Sequence, residues 1–159
     1  MPIKFKRILV ATDFSPAACT AIEYGCLAAG AFGATLDVVH VVSDPLEQAP
    51  TLADSYSLPE EFNKHLENAV RRQAKEALAK TCGTNLAVEV LIRHGDPTKE
   101  ILSVAKERKA DLVVLGRHGH RFLERMLMGS VAERVVRESP CPVLTVHADD
   151  ADSAPSSHP

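Results

Sequence analysis

Arg7-Ile-Leu-Val-Ala-Thr12-Asp13-Phe-Ser15-Pro16 is the stretch whose reading decides the fold. A short apolar run of β type ends at Asp13. Ser15-Pro16 then reads as a helix start, because Ser can cap a free N–H and Pro suits the first helical position. Cys19, Ile22, Cys26 and Ala29 follow at helical spacing, and Gly33 stops the helix. Thr35-Leu-Asp-Val-Val-His-Val-Val42 is compact and β-branched, and reads as a second strand. Strand, helix and strand make a βαβ unit, which implies a parallel sheet with a right-handed crossover.

The same alternation continues outward. Residues 43–58 are rich in Ser, Pro and Asp and form the one long loop, a length often functional or mobile in a compact domain. A long helix is expected over 59–81, with Phe62, Leu66, Ala69 or Val70, Ala77 and Leu78 as its inner stripe and Gly83 ending it. Residues 87–93 form a third strand. Asp96-Pro97 repeats the cap-plus-Pro device and opens a helix with Ile101, Leu102 and Ala105 inward. Leu112-Val-Val-Leu115 is fully apolar, as expected at the centre of a parallel sheet. A short helix after Gly129-Ser130 turns Val131, Ala132, Val135 and Val136 inward, and Pro140-Cys-Pro142 breaks the chain before a last strand, Val143–Val146. The expectation is an α/β fold: an open doubly wound sheet of five parallel strands, order 3-2-1-4-5. One domain spans 1–147, and the acidic, Pro- and Ser-rich tail 148–159 is expected to be disordered.

Composition narrows the function classes. The 159 residues are 45% hydrophobic and 25% charged, the balance of a soluble globular protein, and the net charge of -3 argues against nucleic acid as a partner. Tryptophan is absent and aromatics are 4%, too few for a base-stacking platform. No apolar run approaches the roughly 20 residues that span a bilayer, so no membrane is expected and the address is the cytoplasm. Cys19, Cys26, Cys82 and Cys141 form no CxxC pair and read as small buried hydrophobes. Among the seven histidines, His118 and His120 lie two apart with His94 and Asp96 as conceivable partners, but no full ligand set has convincing spacing, so no metal site is assigned. His40, within an apolar strand, reads as a satisfied core or crevice residue. Ser15, Ser103 and Ser130 lack a GxSxG elbow, so no catalytic residue is assigned.

In doubly wound sheets, ligands sit outside the carboxyl ends of the strands, where strand order reverses. Order 3-2-1-4-5 puts the reversal between the first and fourth strands, so Thr12-Asp13 and the Gly116 loop line one crevice. Gly116 and Gly119 allow close backbone approach and positive φ. Gly129-Ser130 opens a helix whose free N–H groups and dipole favour a phosphate. Arg117, Arg121 and Arg125 add positive charge, and Asp13 can accept from ribose hydroxyls or an adenine amino group. Glycines after a strand are also common as plain turns, and Gly-Ser before a helix as a plain cap.

Gly116-x₂-Gly119-x₉-Gly129-Ser130 resembles, position for position, the motif of the ATP-binding universal stress proteins. Ile8-Leu-Val-Ala-Thr-Asp13-Phe-Ser15, His94-Gly95-Asp96-Pro97, Gly129-Ser-Val-Ala-Glu-Arg-Val135 and Pro140-Cys-Pro-Val-Leu144 resemble the family as well, so the likeness runs over residues 3–147. The resemblance implies a Rossmann-like sheet of the adenine nucleotide alpha hydrolase type, with ATP as ligand. Asp13 would contact adenosine, with backbone around Thr12 and Val41. Gly116 and Gly119 would line ribose and phosphates. Gly129, Ser130 and Val131 would hold the phosphates, with Mg²⁺ or Mn²⁺ bridging their oxygens. It also implies a homodimer through Val143–Val146, and an apolar edge strand needs such cover.

A complete binding motif without a catalytic set points to a nucleotide-dependent sensor or signalling module of a stress response. The alternatives are a slow ATPase, for which Glu124 is the one acid in the loop, and a protein of the same fold that binds AMP or a cyclic nucleotide.

Overall fold

Apolar residues at consecutive positions suit a strand covered on both faces, and Ile8, Leu9 and Val10 are completely buried. The computed structural model describes residues 2–43, 59–83, 85–118 and 128–148. The expected long loop, apart from Ser43, and the tail from 149 lie outside them. The strands are β1 (Arg7–Ala11), β2 (Thr35–Val42), β3 (Val88–His94), β4 (Leu112–Gly116) and β5 (Val143–Val146). The helices are α1 (Pro16–Phe32), α2 (Glu60–Thr81), α3 (Pro97–Glu107) and α4 (Ser130–Glu138). Every pairing is parallel and the order is β3-β2-β1-β4-β5, as expected.

The pleat divides the strands' side chains between two cores. Ile8, Val10, Leu36, Val38, Leu112 and Val114 meet Ile22 and Ala29 of α1 and Leu78 of α2. Leu9, Ala11, Val39, Val113 and Leu115 meet Ile101 and Val104 of α3 and Ala132 and Val135 of α4. The chain therefore leaves β1 toward one face and β4 toward the other, which opens a crevice between their ends.

Helix α1 is delimited as its sequence requires. The Ser15 hydroxyl accepts from the Ala18 N–H at 3.3 Å, Pro16 follows, and Gly33 adopts φ 64 at the C-cap. Gly25 sits where α1 comes closest to the sheet: a Cβ there would lie 2.3 Å from Val10 Cγ2. Only glycine lets the two elements approach that far.

Three expectations are corrected. The inner stripe of α2 is Val70, Ala74 and Leu78, whereas Phe62 is 52% exposed. A helix of 22 residues is about 33 Å long and the 7-residue β3 about 23 Å, so the first turns of α2 have no strand beneath them. On α4, Val136 is exposed, because β5 is the last strand of the sheet and, among the described residues, no element lies beyond it to cover that flank. The cysteines are not four buried hydrophobes: Cys26 and Cys82 form a disulfide with Cα atoms 5.4 Å apart, Cys19 is exposed and Cys141 half-buried.

A buried carboxylate interrupts the second core. Asp37 of β2 is 2% exposed and accepts from Arg7 Nη1 at 3.0 Å and from Arg108 Nε and Nη2 at 3.0 and 3.2 Å. Arg108 also donates to Glu89 on β3. Hydrogen bonds to Asp37, then to Glu89, raise the Arg108 pKa above its ordinary value. The cluster ties β1, β2, β3 and the end of α3 together, as is usual for a buried charge, which must be paired.

Candidate functional site

The Thr12 N–H extends the ladder by donating to Val39 O at 2.9 Å, after which the chain folds on its own side chains. Thr12 Oγ1 accepts from the Phe14 N–H at 3.0 Å, and Asp13 Oδ1 from the Ser15 N–H at 2.9 Å. Phe14 sits at φ 60, a left-handed conformation uncommon for a residue other than glycine. Its ring lies on His40 with centroids 5.0 Å apart. His40 Nδ1 is 2.8 Å from Thr12 O, and since a carbonyl can only accept, Nδ1 is the donor. His40 is thus the satisfied crevice residue that was expected, joining the end of β2 to the turn after β1.

The opposite wall starts from β4. Ala11 of β1 pairs with Leu115, so Thr12 and Asp13 lie beside Gly116 and Arg117. The Arg117 N–H donates to Val146 O at 2.7 Å, and Arg117 O accepts from the Gly129 N–H at 2.8 Å, so the loop that leaves at Arg117 returns to the same point. The Arg117 guanidinium meets His147 Nε2. Gly119, Arg121, Glu124 and Arg125 lie outside the described residues.

Gly116 is glycine for another reason than expected. A Cβ there would lie 2.9 Å from the backbone carbon and the Cβ of Ala17, so the first turn of α1 leaves no room for one. The positive-φ glycines among the described residues are Gly33 and Gly95, not Gly116 or Gly129. The missing side chain lets the two walls of the crevice touch.

Helix α4 begins at Gly129, with φ −69 and ψ 155, and no side chain caps its first turn. In α1 and α3 that place is filled, by Ser15 and by Asp96, which accepts from the Lys99 N–H at 2.9 Å. Helix α2 also lacks a side-chain cap; acidic residues stand in the first turn of both, Glu60 and Glu61 in α2 and Glu133 in α4. The leading N–H groups of α4, those of Ser130 and Val131, therefore receive no cap from the residue at its N-cap, and they sit at the positive end of a helix dipole. Val131 and Val41 are half-buried and pack on the α3–α4 core. The crevice thus sets a carboxylate, Asp13, and an anion-attracting helix start across one strand reversal. Among the described residues no three His, Cys, Asp or Glu side chains are grouped to hold a metal ion.

Sequence reasoning missed Phe14, whose left-handed backbone has no signature in an aromatic residue. Its contact with His40 was foreshadowed only by a polar residue inside an apolar strand.

A family model described as the universal stress protein family matches residues 4–147. A universal stress protein of Methanocaldococcus jannaschii is 34% identical over 143 residues, covering 89% of this chain and 82% of its own length. Among solved structures, the universal stress protein UspA from Lactobacillus plantarum superposes with a TM-score of 0.71 at 28% identity, covering 91% of this chain and 99% of that one. A universal stress protein solved in complex with cAMP superposes with a TM-score of 0.65 at 26% identity, covering 92% and 99%.

Proposed function

The chain belongs to the universal stress protein family, and from that premise we propose that it binds ATP in the crevice between β1 and β4 and acts as a nucleotide-dependent sensor or signalling module. The observation that carries this reading is the start of α4, without a side-chain cap at Gly129, at the same strand reversal that carries Asp13 after β1. Adenosine would lie against Asp13, with the backbone of Thr12 and the end of β2 at Val41 beside it. The phosphates would run past Gly116, Arg117 and Gly119 to Gly129 and the N–H groups of Ser130 and Val131, the Gly129 N–H itself being held by Arg117 O. Mg²⁺ or Mn²⁺ would be held by the phosphate oxygens and would neutralise charge between them.

A titration calorimeter tests this with nucleotide-free protein and ATP plus Mg²⁺, AMP and cAMP in turn. The expected result is micromolar ATP binding and at least ~10-fold weaker AMP binding, because AMP lacks the phosphates that would reach α4. Cyclic AMP at equal or higher affinity would instead favour the second reading, a cyclic-nucleotide protein, which the relative solved with cAMP supports. No heat with any of the three would reduce the glycine motif to a structural turn.

The edge strand β5, with Leu144 exposed, supports a homodimer formed through Val143–Val146. Light scattering should give twice the chain mass, and Leu144→Lys should return it to one; a monomer in the parent protein removes the proposal. No helix among the described residues is long and apolar enough to cross a membrane.

A further inference from the structure

We propose that Cys26 and Cys82 form a reversible dithiol–disulfide site that latches the end of α2 onto α1 and exchanges with low-molecular-weight thiols and disulfides. The two residues are 56 positions apart and belong to different elements, yet their Cα separation of 5.4 Å lies within the span a disulfide bridges. The latch matters because α2 is lightly held. Of its 22 residues only Val70, Ala74 and Leu78 are buried, and two exposed side-chain bonds join it to β3, Arg71 Nη1 to Val90 O at 3.0 Å and Glu67 Oε1 to His94 Nε2 at 3.2 Å.

Access and selectivity favour exchange at this pair. Cys26 is buried, whereas Cys82 is half-exposed on an open groove of about 910 Å³ that Glu23, Lys80 and Asn85 also line. That volume admits a tripeptide thiol, and Lys80 offers a partner for its carboxylates against the like charge of Glu23. The other thiols are poor competitors. Cys19 lies two turns from Cys26, about 10 Å along α1, and partial burial of its thiol, then the Glu23 and Asp13 carboxylates, raise its pKa and keep it protonated. Cys141 packs on the α3–α4 core, with the sheet between it and the pair.

In the opening direction, a glutathione thiolate attacks Cys82 Sγ, the S–S bond breaks, and Cys26 leaves as a thiolate that takes a proton. A second glutathione attacks the mixed disulfide, releasing Cys82 as thiolate and glutathione disulfide. The two protein sulfurs are reduced and two glutathiones oxidised. Closing runs the same steps backward, with glutathione disulfide as oxidant.

The full chain is equilibrated with glutathione disulfide or with millimolar reduced glutathione, alkylated and weighed, and its thermal unfolding is followed under both conditions. The oxidised protein should alkylate at two cysteines, Cys19 and Cys141, and the reduced protein at all four. Reduction should lower Tm by about 10 °C, given the long loop the bond closes. In Cys82→Ser, and in Cys26→Ser if that buried change still folds, the Tm difference between the two conditions should vanish. The proposal fails if four thiols remain after oxidation. It also fails if the bond withstands glutathione and opens only with dithiothreitol in denaturant, which would mark a fixed crosslink, or if the redox-dependent Tm survives in Cys82→Ser.

Discussion

Gly129→Asp is expected to abolish ATP binding while leaving the protein at least as stable as before. Gly129 already has φ −69 and ψ 155, a conformation open to any L-residue and usual for an N-cap. An aspartate there would accept from the leading N–H groups of α4 and place negative charge at the positive end of its dipole, which stabilises a helix by about 0.5–1 kcal/mol. The same carboxylate would occupy the donors assigned to phosphate and repel it. Losing two charge-assisted hydrogen bonds corresponds to at least ~3 kcal/mol, more than 100-fold in Kd. Calorimetry and thermal unfolding on one preparation separate the two effects. Unchanged affinity would mean that α4 starts at Gly129 for reasons of chain geometry alone, and the proposed phosphate site would be wrong.

Asp37→Ala should lower the free energy of unfolding by about 3 kcal/mol, a large effect for one polar side chain. Removing the carboxylate strands Arg7 and Arg108 without the buried anion they share. Their side chains are 33% and 28% exposed, so water recovers part of the loss, and the lower end of the range for a broken buried pair applies. Asp37→Asn should cost nearly as much, because its amide keeps the volume but turns one acceptor into a donor facing a guanidinium. Arg108→Ala should cost less than either, since Arg7 still pairs with Asp37. Urea unfolding midpoints at constant slope give the three numbers. A change below about 1 kcal/mol for Asp37→Ala would mean that water reaches the carboxylate.

Much of the fold was legible because its signals are local. Ser15-Pro16 and Asp96-Pro97 start helices by capping chemistry that acts within three residues, and both caps are present. Consecutive apolar residues at 112–115 require burial on both faces, and β4 is central. Once those elements alternate, strand order 3-2-1-4-5 places the reversal between β1 and β4, and the chain after Ala11 leaves beside Gly116 at the end of β4. The reason for Gly116 was misjudged, since sequence cannot show that Ala17 presses on it.

By itself, then, the sequence determined what short-range physics controls: where helices begin and end, which runs are strands, and in what order the strands pair. Tertiary structure alone decided the left-handed Phe14 over His40, the Asp37 clamp between Arg7 and Arg108, the contact of Gly116 with α1 and the joining of Cys26 to Cys82. Each of these depends on which residue far along the chain comes within a few ångströms. Such approach follows from the packing of helices on a twisted sheet, and no periodicity or spacing along the chain records it.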